Sequence, residues 1–272
     1  MDNLNPLVSI TVTTKNEEKH IQNCLESIKG QTYKNIEIFV VDNNSTDKTK
    51  EVAKKYTDKV FNKGPERSAQ RNYGMIEKSK GDYVIYLDAD MILSPTVIED
   101  SLKTIKKTNS IALYISEIVM GNNLWSKVRR FERSFYDGTV IDCVRFIKKN
   151  IFVKVRGFDE SMTGPEDWDL DKKIRQIGKT ELVKTPIYHN ETEFNLKKYL
   201  FKKSYYAKSF SKYKNKWGKE DPDVKKQFGA LYRYIIVFIE NNNWKKILAH
   251  PILTFLMFYL RIMVGLVYLF NK

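Results

Sequence analysis

The chain is poor in cysteine and histidine, and it lacks two common phosphate-binding loops. Its two cysteines, Cys24 and Cys143, form neither a disulfide framework nor a zinc-binding pattern, which favours a reducing compartment. No G-x-G-x-x-G loop follows a predicted strand, and no Walker A loop is present. These absences argue against a dinucleotide-binding Rossmann domain and against a P-loop domain.

The sequence also lacks a signal-peptide pattern, an internal repeat and any low-complexity tract beyond a lysine bias. Residues 1–6 lead directly into the first predicted strand, so we expect no secretory leader. With 272 residues, of which 42% are hydrophobic, the chain can bury one α/β core and a modest appendage. A second enzymatic domain is not expected.

Three apolar runs predict the strands of a buried parallel sheet. They cover residues 7–13, 36–41 and 83–87, and a polar loop and a helical pattern follow each of the first two. In the first of these helices, Ile21, Cys24, Leu25 and Ile28 recur with helical spacing. This alternation predicts an α/β fold built from βαβ units.

Two carboxylates, Asp88 and Asp90, end the third run. Parallel sheets bind ligands beyond the carboxyl ends of their strands, where the loops after the first two strands also lie. In an extended chain, side chains two residues apart point to the same side, so both carboxylates can reach one ligand. Hard oxygen ligands suit Mg²⁺ or Mn²⁺, so the pair predicts a divalent-metal site. A cap for the following turn or helix is the alternative.

These elements resemble a known family. The segments VSITVTTKNEEKHIQNCLESIKGQTYKNIEIFVVDNNSTDKT and ERSAQRNYGMIEKSKGDYVIYLDADM look like the nucleotide-sugar-binding half of family 2 glycosyltransferases, which have the GT-A fold. The resemblance covers residues 5–110 and resumes at 157–160 and 166–167. It implies a mixed, mostly parallel sheet flanked by helices, in a transferase of the membrane-associated type.

The resemblance implies roles for residues at the sheet edge. The nucleotide and donor sugar would contact Thr13, Asn16, Glu17, Asp42, Arg67, Arg71 and Asp88. The divalent metal would bind Asp88, Asp90 and His189. From the residues alone, Asp42 can instead cap a turn, and the two arginines can form a solvated helix face. Asn16 and Glu17 can equally be solvated loop residues, and His189 a core or surface histidine.

A second acidic pair, Glu166 and Asp167, opens a predicted helix with apolar residues at 170, 174 and 177. Acids in a first helical turn also stabilise the helix dipole, which is the structural alternative. The resemblance places the catalytic base at this pair, at Asp167 with Glu166 beside it. A base suits inverting transfer to a hydroxyl, which must lose a proton, whereas a lipid phosphate is already anionic and needs none.

Positive charge is concentrated in the last third of the chain. The net charge is +14, and nine lysines between residues 197 and 219 alternate with aromatic residues without an intervening acid. Such a segment is typical of a membrane-surface helix or a nucleic-acid patch, and a solvated helix is the remaining interpretation. The apolar segment that follows favours membrane lipids as partners, with no nucleic acid.

Residues 252–270 are apolar except for Thr254 and Arg261. A helix of this length measures about 28 Å, close to a hydrocarbon core of about 30 Å. An arginine near the centre costs about 2.5–3.5 kcal/mol, so a transmembrane helix is marginal and a buried core helix is the alternative.

Two shorter segments predict further membrane contact. Residues 229–239 are too short to span and predict an in-plane or re-entrant helix. Trp125, Phe131 and Phe135 lie among basic residues and predict another interfacial element. The positive-inside rule then places the lysine-rich segment on the cytoplasmic side.

Together these features predict two regions and one function. Residues 1–195 form the GT-A catalytic domain, divided into a nucleotide-sugar half (1–110) and an acceptor half (111–195), and residues 196–272 form membrane-associated helices. The expected enzyme is an inverting hexosyltransferase. It moves a sugar from a nucleotide-diphosphate sugar to a hydroxyl of a polyprenyl- or dolichyl-linked saccharide at the cytoplasmic face of the cell membrane. The alternatives are a polyprenyl-phosphate glycosyltransferase and a nonenzymatic protein that binds membranes or polyanions.

Overall fold

The computed structural model describes residues 5–270, apart from the side chain of Phe270. Within these residues eight strands form one sheet. They are β1 (Val8–Thr14), β2 (Ile36–Asp42), β3 (Val60–Asn62), β4 (Tyr83–Asp88), β5 (Met91–Leu93), β6 (Ala112–Met120), β7 (Phe146–Lys148) and β8 (Thr180–Asn190). The three predicted strands correspond to β1, β2 and β4.

The sheet is mixed, with the strand order β3-β2-β1-β4-β7-β6-β8-β5. The strands β3, β2, β1 and β4 are parallel, as expected for βαβ units. β7 is antiparallel to both β4 and β6, β8 is parallel to β6, and β5 is antiparallel to β8. The predicted mixed, mostly parallel sheet is confirmed. Because β1, β2 and β4 share a direction, Thr14, Asp42 and Asp88 end at the same edge.

The helices are α1 (Ile21–Lys29), α2 (Thr49–Lys54), α3 (Arg67–Asn72), α4 (Val97–Thr108), α5 (Leu124–Arg133), α6 (Lys149–Lys154), α7 (Glu166–Arg175), α8 (Leu196–Ala207), α9 (Phe210–Trp217), α10 (Pro222–Phe228), α11 (Val237–Ile239), α12 (Trp244–Ala249) and α13 (Pro251–Phe270). Two π-helical segments, Tyr73–Lys78 and Tyr232–Ile236, and a 3₁₀ turn, Glu240–Asn242, complete them.

The strand β4 contributes to two apolar cores. Its Ile85 and Leu87 belong to a cluster with α1, α2 and α4, whereas Val84 and Tyr86 belong to a cluster with α6 and α7. Successive side chains of a strand point to opposite faces, so one strand serves both cores. The predicted apolar stripe of α1 is fully buried in the first core. This double burial fixes the position of the carboxyl end of β4.

The C-terminal helices pack against α5. Val128 and Phe131 of α5, with Phe135 just beyond it, are buried in a third apolar cluster that includes Met257 and Leu260 of α13. The prediction that Phe131 and Phe135 form an interfacial element is therefore wrong. The C-terminal helices cover both rings, so neither is available to a membrane surface.

Arg261 lies in the middle of α13, and its charge is neutralised inside the protein. Its side chain is buried, and its Nη1 donates to Oε1 of Glu132 in α5 at 2.8 Å. It also donates to the hydroxyl of Tyr136 and to the backbone carbonyl of Arg233. Oε2 of Glu132 accepts from Arg129 at 2.5 Å. One carboxylate thus links two arginines from different helices.

The opposite face of α13 is apolar and exposed. Its exposed side chains recur every three or four residues, at Ile252, Phe255, Tyr259, Ile262, Leu266 and Leu269. In the described part of the chain, α13 is the one helix long and apolar enough to cross a membrane, by length and composition. The transmembrane helix at 252–270 stays a prediction, as do the boundaries at 110 and 195.

The segment 229–239, predicted as an in-plane helix, consists of the π-helical segment Tyr232–Ile236 and α11. It exposes Leu231, Ile235 and Ile239 at helical spacing and buries Val237. Its amphipathic character is therefore present, and its contact with a membrane stays a prediction.

We expect Glu132→Gln to lower the free energy of unfolding by about 3–5 kcal/mol, because it leaves two buried guanidinium groups without their shared carboxylate. The measurement is chemical unfolding of the whole chain in detergent. The control is Glu99→Gln, which breaks an exposed ion pair with Lys103 and should cost at most about 1 kcal/mol. Equal losses in the two variants would show that the buried pair contributes no more than a surface pair.

Candidate active site

Asp88, the last residue of β4, anchors the candidate site. Its Oδ1 accepts hydrogen bonds from Oγ1 of Thr13 and from Nη2 of Arg71, both at 3.0 Å. Arg67 adds an ion pair to Oδ2 at 3.7 Å. Burial opposes ionisation, but Arg71 and Arg67 outweigh it and hold the pKa of Asp88 well below its usual range. The carboxylate is therefore charged at neutral pH and fixed in position.

Asp90 lies beyond the end of β4 and faces His189 of β8. Oδ2 of Asp90 is 3.2 Å from Nε2 of His189, and Nδ1 of the same ring is 3.0 Å from Oε1 of Glu117. Burial disfavours the charged imidazole, but the two carboxylates outweigh it and raise the pKa of His189 to about 10. The ring is a cation held between two acids.

The residues at this end supply part of a metal site. Oδ1 of Asp90 is buried and has no hydrogen-bond partner among the described residues, which suits a cation ligand. Within residues 5–270, no group of three or more His, Cys, Asp or Glu side chains is arranged to hold a metal ion. Mg²⁺ is usually bound by one or two carboxylates, with substrate phosphates and water as its other ligands. The residues therefore fit a cation that binds together with a diphosphate.

Arg71 of α3 joins this acidic end to α7. Its side chain is 1% exposed, and its Nη1 donates to Oδ1 of Asp167 at 2.9 Å while Nη2 contacts Asp88. Arg67, one helical turn earlier, donates to Oε1 of Glu166 at 3.2 Å. Both arginines were predicted as donor ligands. The structure engages them with acids from two different elements, and their direct contact with a donor stays a prediction.

The acidic pair of α7 consists of one buried and one partly exposed residue. Glu166 is 1% exposed and accepts from Arg67 and from the backbone amide of Gly164. Its burial, followed by the charge of Asp167, raises the pKa of Glu166. The side chain of Asp167 is 33% exposed and lines the cleft. Asp167 is therefore the member of the pair that faces the cleft.

The loops after β1 and β2 hold each other in place. Asp42 is fully buried, and its carboxylate accepts from the backbone amide and the hydroxyl of Ser45 at 2.7 and 2.5 Å. The Ser45 hydroxyl accepts from the amide of Asn16 at 2.8 Å, and the Asn16 side chain accepts from the amide of Thr46 at 2.9 Å. Asp42 and Asn16 thus shape this loop pair, and their contact with a nucleoside stays a prediction.

Glu17 adds a third carboxylate near Asp88 and Asp90. Its backbone amide donates to the hydroxyl of Thr49 at 2.8 Å, which fixes the residue in the loop. Burial, followed by the charges of Asp90 and Asp88, raises the pKa of Glu17 to about 7. The acids at this end therefore repel one another, and a bound cation would relieve the repulsion.

Two residues that organise the site were not predicted from the sequence. Glu117 of β6 contacts His189 and accepts from Arg145 at 2.9 Å. Gln70 of α3 donates to the backbone carbonyls of Thr14 and Val41 at 3.0 and 2.6 Å, which fixes the carboxyl ends of β1 and β2. Glu117 could have been noticed as an acid within an otherwise apolar strand. No feature of the sequence distinguishes Gln70.

A cleft of about 1540 Å³ connects these groups. Of the predicted site residues, its walls include Arg67, Arg71, Asp88, Asp90, Asp167 and His189. Thr13 and Asp42 are buried and support the site from behind. Beyond Asp167 the same cleft continues past Lys203 of α8 to the apolar helix α13.

Comparison with known sequences identifies the family. The glycosyl transferase family 2 model matches residues 9–158, more than half of the chain. An uncharacterized glycosyltransferase of Rickettsia typhi is 27% identical, and the match covers 69% of this chain and 66% of that protein. Another, from Rickettsia prowazekii, is 26% identical, and the match covers 89% of this chain and 82% of that protein. The chain thus spans about two thirds of the length of the first relative.

Comparison with solved structures identifies the fold. The mannosyltransferase PcManGT of Pyrobaculum calidifontis, solved with GDP-Man and Mn²⁺, is 17% identical, with a TM-score of 0.66 over 98% of this chain and 88% of that one. Residues 1–349 of S. aureus TarS, solved with UDP-GlcNAc, are 20% identical, with a TM-score of 0.57 over 75% of this chain and 66% of that one. The sheet order and the family match agree: the chain belongs to glycosyl transferase family 2 and is a glycosyltransferase of GT-A fold.

Proposed function

We propose that this glycosyltransferase moves a sugar, with inversion, from a nucleotide-diphosphate sugar to a hydroxyl of a lipid-linked saccharide. The reaction takes place at the cytoplasmic face of the cell membrane and uses Mg²⁺ or Mn²⁺. The observation that carries the proposal is the single cleft, which extends from Asp90 past Asp167 to the apolar helix α13. The UDP-GlcNAc and GDP-Man complexes of proteins with this fold support a nucleotide-sugar donor.

The acidic end of the cleft suits a donor diphosphate only together with a cation. Asp88 is already paired with Arg71 and Arg67, but Glu17 and Asp90 add carboxylates that would repel a phosphate brought against them without a cation. Asp90, through its unpartnered Oδ1, would hold the cation with Asp88. Although burial opposes it, Asp90 and Glu117 raise the pKa of His189 to about 10, so the ring would have to lose a proton before it could join as a ligand. The bound cation supplies charge neutralisation to the departing nucleotide diphosphate.

Asp167 is placed to accept the proton of the attacking hydroxyl. Arg71 holds its Oδ1 at 2.9 Å, and the rest of the carboxylate faces the cleft. Because Arg71 also holds Asp88, the donor end and the base keep a fixed separation. An anionic lipid phosphate would need no base, so an exposed base favours a sugar hydroxyl as the acceptor.

The surface beyond Asp167 supports a lipid-linked acceptor. The lysine-rich helices α8 and α9 and the exposed apolar face of α13 belong to the same C-terminal region. Anionic head groups attract nearby lysines by about 1 kcal/mol each, and lysine-rich segments lie on the cytoplasmic side. The family membership argues against the nonenzymatic alternative.

Donor turnover should require a divalent cation. Hydrolysis and transfer are measured in detergent with UDP, GDP and dTDP sugars, Mn²⁺ or Mg²⁺, and a polyprenyl-linked sugar extract. We expect turnover with one donor, loss of turnover in EDTA, and a loss of about 100-fold or more in Asp90→Asn, because this variant binds less well the cation that would neutralise the leaving diphosphate. Asp58→Asn, a change at an exposed residue outside the cleft, is the control. Full activity in EDTA would contradict the metal requirement.

Asp167→Asn should lower kcat for transfer by about 100-fold or more, because the hydroxyl loses its general base. The donor KM should change little, since the amide still accepts a hydrogen bond from Arg71. The control is Asp159→Asn, which removes an acid paired with Lys216 at 2.9 Å. Retention of full transfer activity by Asp167→Asn would exclude this residue as the base and favour a polyprenyl phosphate as the acceptor.

A further inference from the structure

The charge and polarity of the residues that line the cleft change along its length. Beyond the acids Asp88, Asp90 and Asp167, its walls carry Lys198, Lys202 and Lys203 of α8 and Arg233 of the segment Tyr232–Ile236. Further on, the walls are formed by α13, including Val264, Gly265, Leu266 and Tyr268. The cleft therefore has three successive parts: acidic, basic and apolar.

Contacts between side chains fix the order of these parts. Arg67, which is paired with Asp88, donates to the hydroxyl of Tyr206 in α8 at 2.9 Å. The Nζ atoms of Lys202 and Lys203 lie 5.8 and 5.9 Å from the centre of the Tyr206 ring. Tyr206 thus lies between the basic part and Arg67 at the donor end.

The far side of the basic part adjoins α13. The backbone carbonyl of Arg233 accepts from Arg261 of α13, and the hydroxyl of Tyr234 donates to the Arg261 carbonyl at 3.0 Å. The basic part is therefore bounded by the active-site acids on one side and by the apolar helix on the other.

The cations of the basic part are not engaged in ion pairs. Among residues 5–270, the side chains of Lys202, Lys203 and Arg233 form no ion pair and donate no hydrogen bond. The arginines deeper in the cleft differ, since Arg129 is paired with Glu132 and with Glu191. Glu132 is the acid that attracts Lys203, but it is already paired with Arg129 and Arg261, so cations outnumber acids around the basic part.

Lys203 shows the energetic cost of this arrangement. Its Nζ lies over the rings of Tyr199 and Tyr206, at 5.1 and 5.9 Å from their centres, and burial followed by the charge of Arg129 lowers the pKa of Lys203 to about 7. Glu132 opposes this decrease, whereas Lys202 and Arg233 add to it. A partly buried cation with more cations than acids around it is stabilised by an anionic ligand, and phosphate oxygens are the acceptors that such a group binds best.

We infer that Lys202, Lys203 and Arg233 bind the phosphate or diphosphate that joins the acceptor saccharide to its lipid, with the alkyl chain lying against α13. The inference rests on the proposed function. It assigns the saccharide hydroxyl to Asp167, the phosphates to the basic part and the isoprenoid-like chain to Val264, Gly265 and Tyr268. Binding of the phosphate or diphosphate at the basic part would set the distance between the lipid and the reacting hydroxyl.

The test is binding of geranylgeranyl diphosphate to the whole chain in detergent, by calorimetric titration in the presence of EDTA. EDTA removes metal-bridged binding at the donor end. Inorganic pyrophosphate and geranylgeraniol are titrated in parallel. We expect the diphosphate lipid to bind more tightly than either, because it alone uses both the basic and the apolar parts.

The variants Lys203→Met and Arg233→Met should each weaken binding of the diphosphate lipid by about tenfold or more, because charge-assisted hydrogen bonds to phosphate are lost. The matched control is Lys197→Met, which removes the same charge from an exposed position of α8 outside the cleft. Equal binding of the alcohol and the diphosphate, or an equal loss in Lys197→Met, would overturn the inference.

A titration of the wild-type chain with nucleotide sugar and Mn²⁺ separates the two proposals. Donor binding without binding of geranylgeranyl diphosphate overturns the phosphate-binding inference alone. Absence of donor binding overturns the proposed function, and with it the assignment of the bound phosphate to an acceptor.

Discussion

The buried guanidinium of Arg71 is the interaction on which the site depends. It contacts Asp88 at the end of β4 and Asp167 at the start of α7, two elements from different halves of the chain. The rings of Tyr86 and Phe158 lie 4.4 and 5.1 Å from its central carbon, so it is enclosed by apolar surface as well as by acids. A charge buried in this way is tolerated only with its partners in place. The acids are therefore held in position before any substrate arrives.

The hydrophobic pattern of the sequence was sufficient to predict three of the parallel strands. The strands β1, β2 and β4 are apolar runs with polar loops after them, and the parallel direction follows from the intervening helices. Asp88 and Asp90 were expected to point to the same side of one extended strand, and this expectation was less accurate. The strand ends at Asp88, and Asp90 lies in the turn before β5, so the two are not side by side in one extended segment. They share a cleft because Asp90 contacts His189 of β8.

The other contacts of the site depend on which strands and helices lie side by side, and a single sequence does not reveal this for elements far apart in the chain. Glu117 contacts His189 because β6 and β8 are adjacent in the sheet, although 72 residues separate them. The helix α5 was misread for a related reason. Its alternation of basic and aromatic residues shows that one face is apolar, but it does not say what covers that face. In the structure Phe131 is covered by other parts of the chain.

The ion pair between Arg261 and Glu132 has a consequence for recombinant work on this enzyme. A hydrophobic C-terminal helix is often deleted to obtain a soluble protein. Here, a chain shortened before residue 251 would leave Glu132 with Arg129 as its remaining ion-pair partner and would uncover the apolar cluster to which Met257 and Leu260 belong. The trimmed enzyme would gain an aggregation-prone surface in place of the one removed. The helix is part of the cleft wall and of the apolar packing behind it.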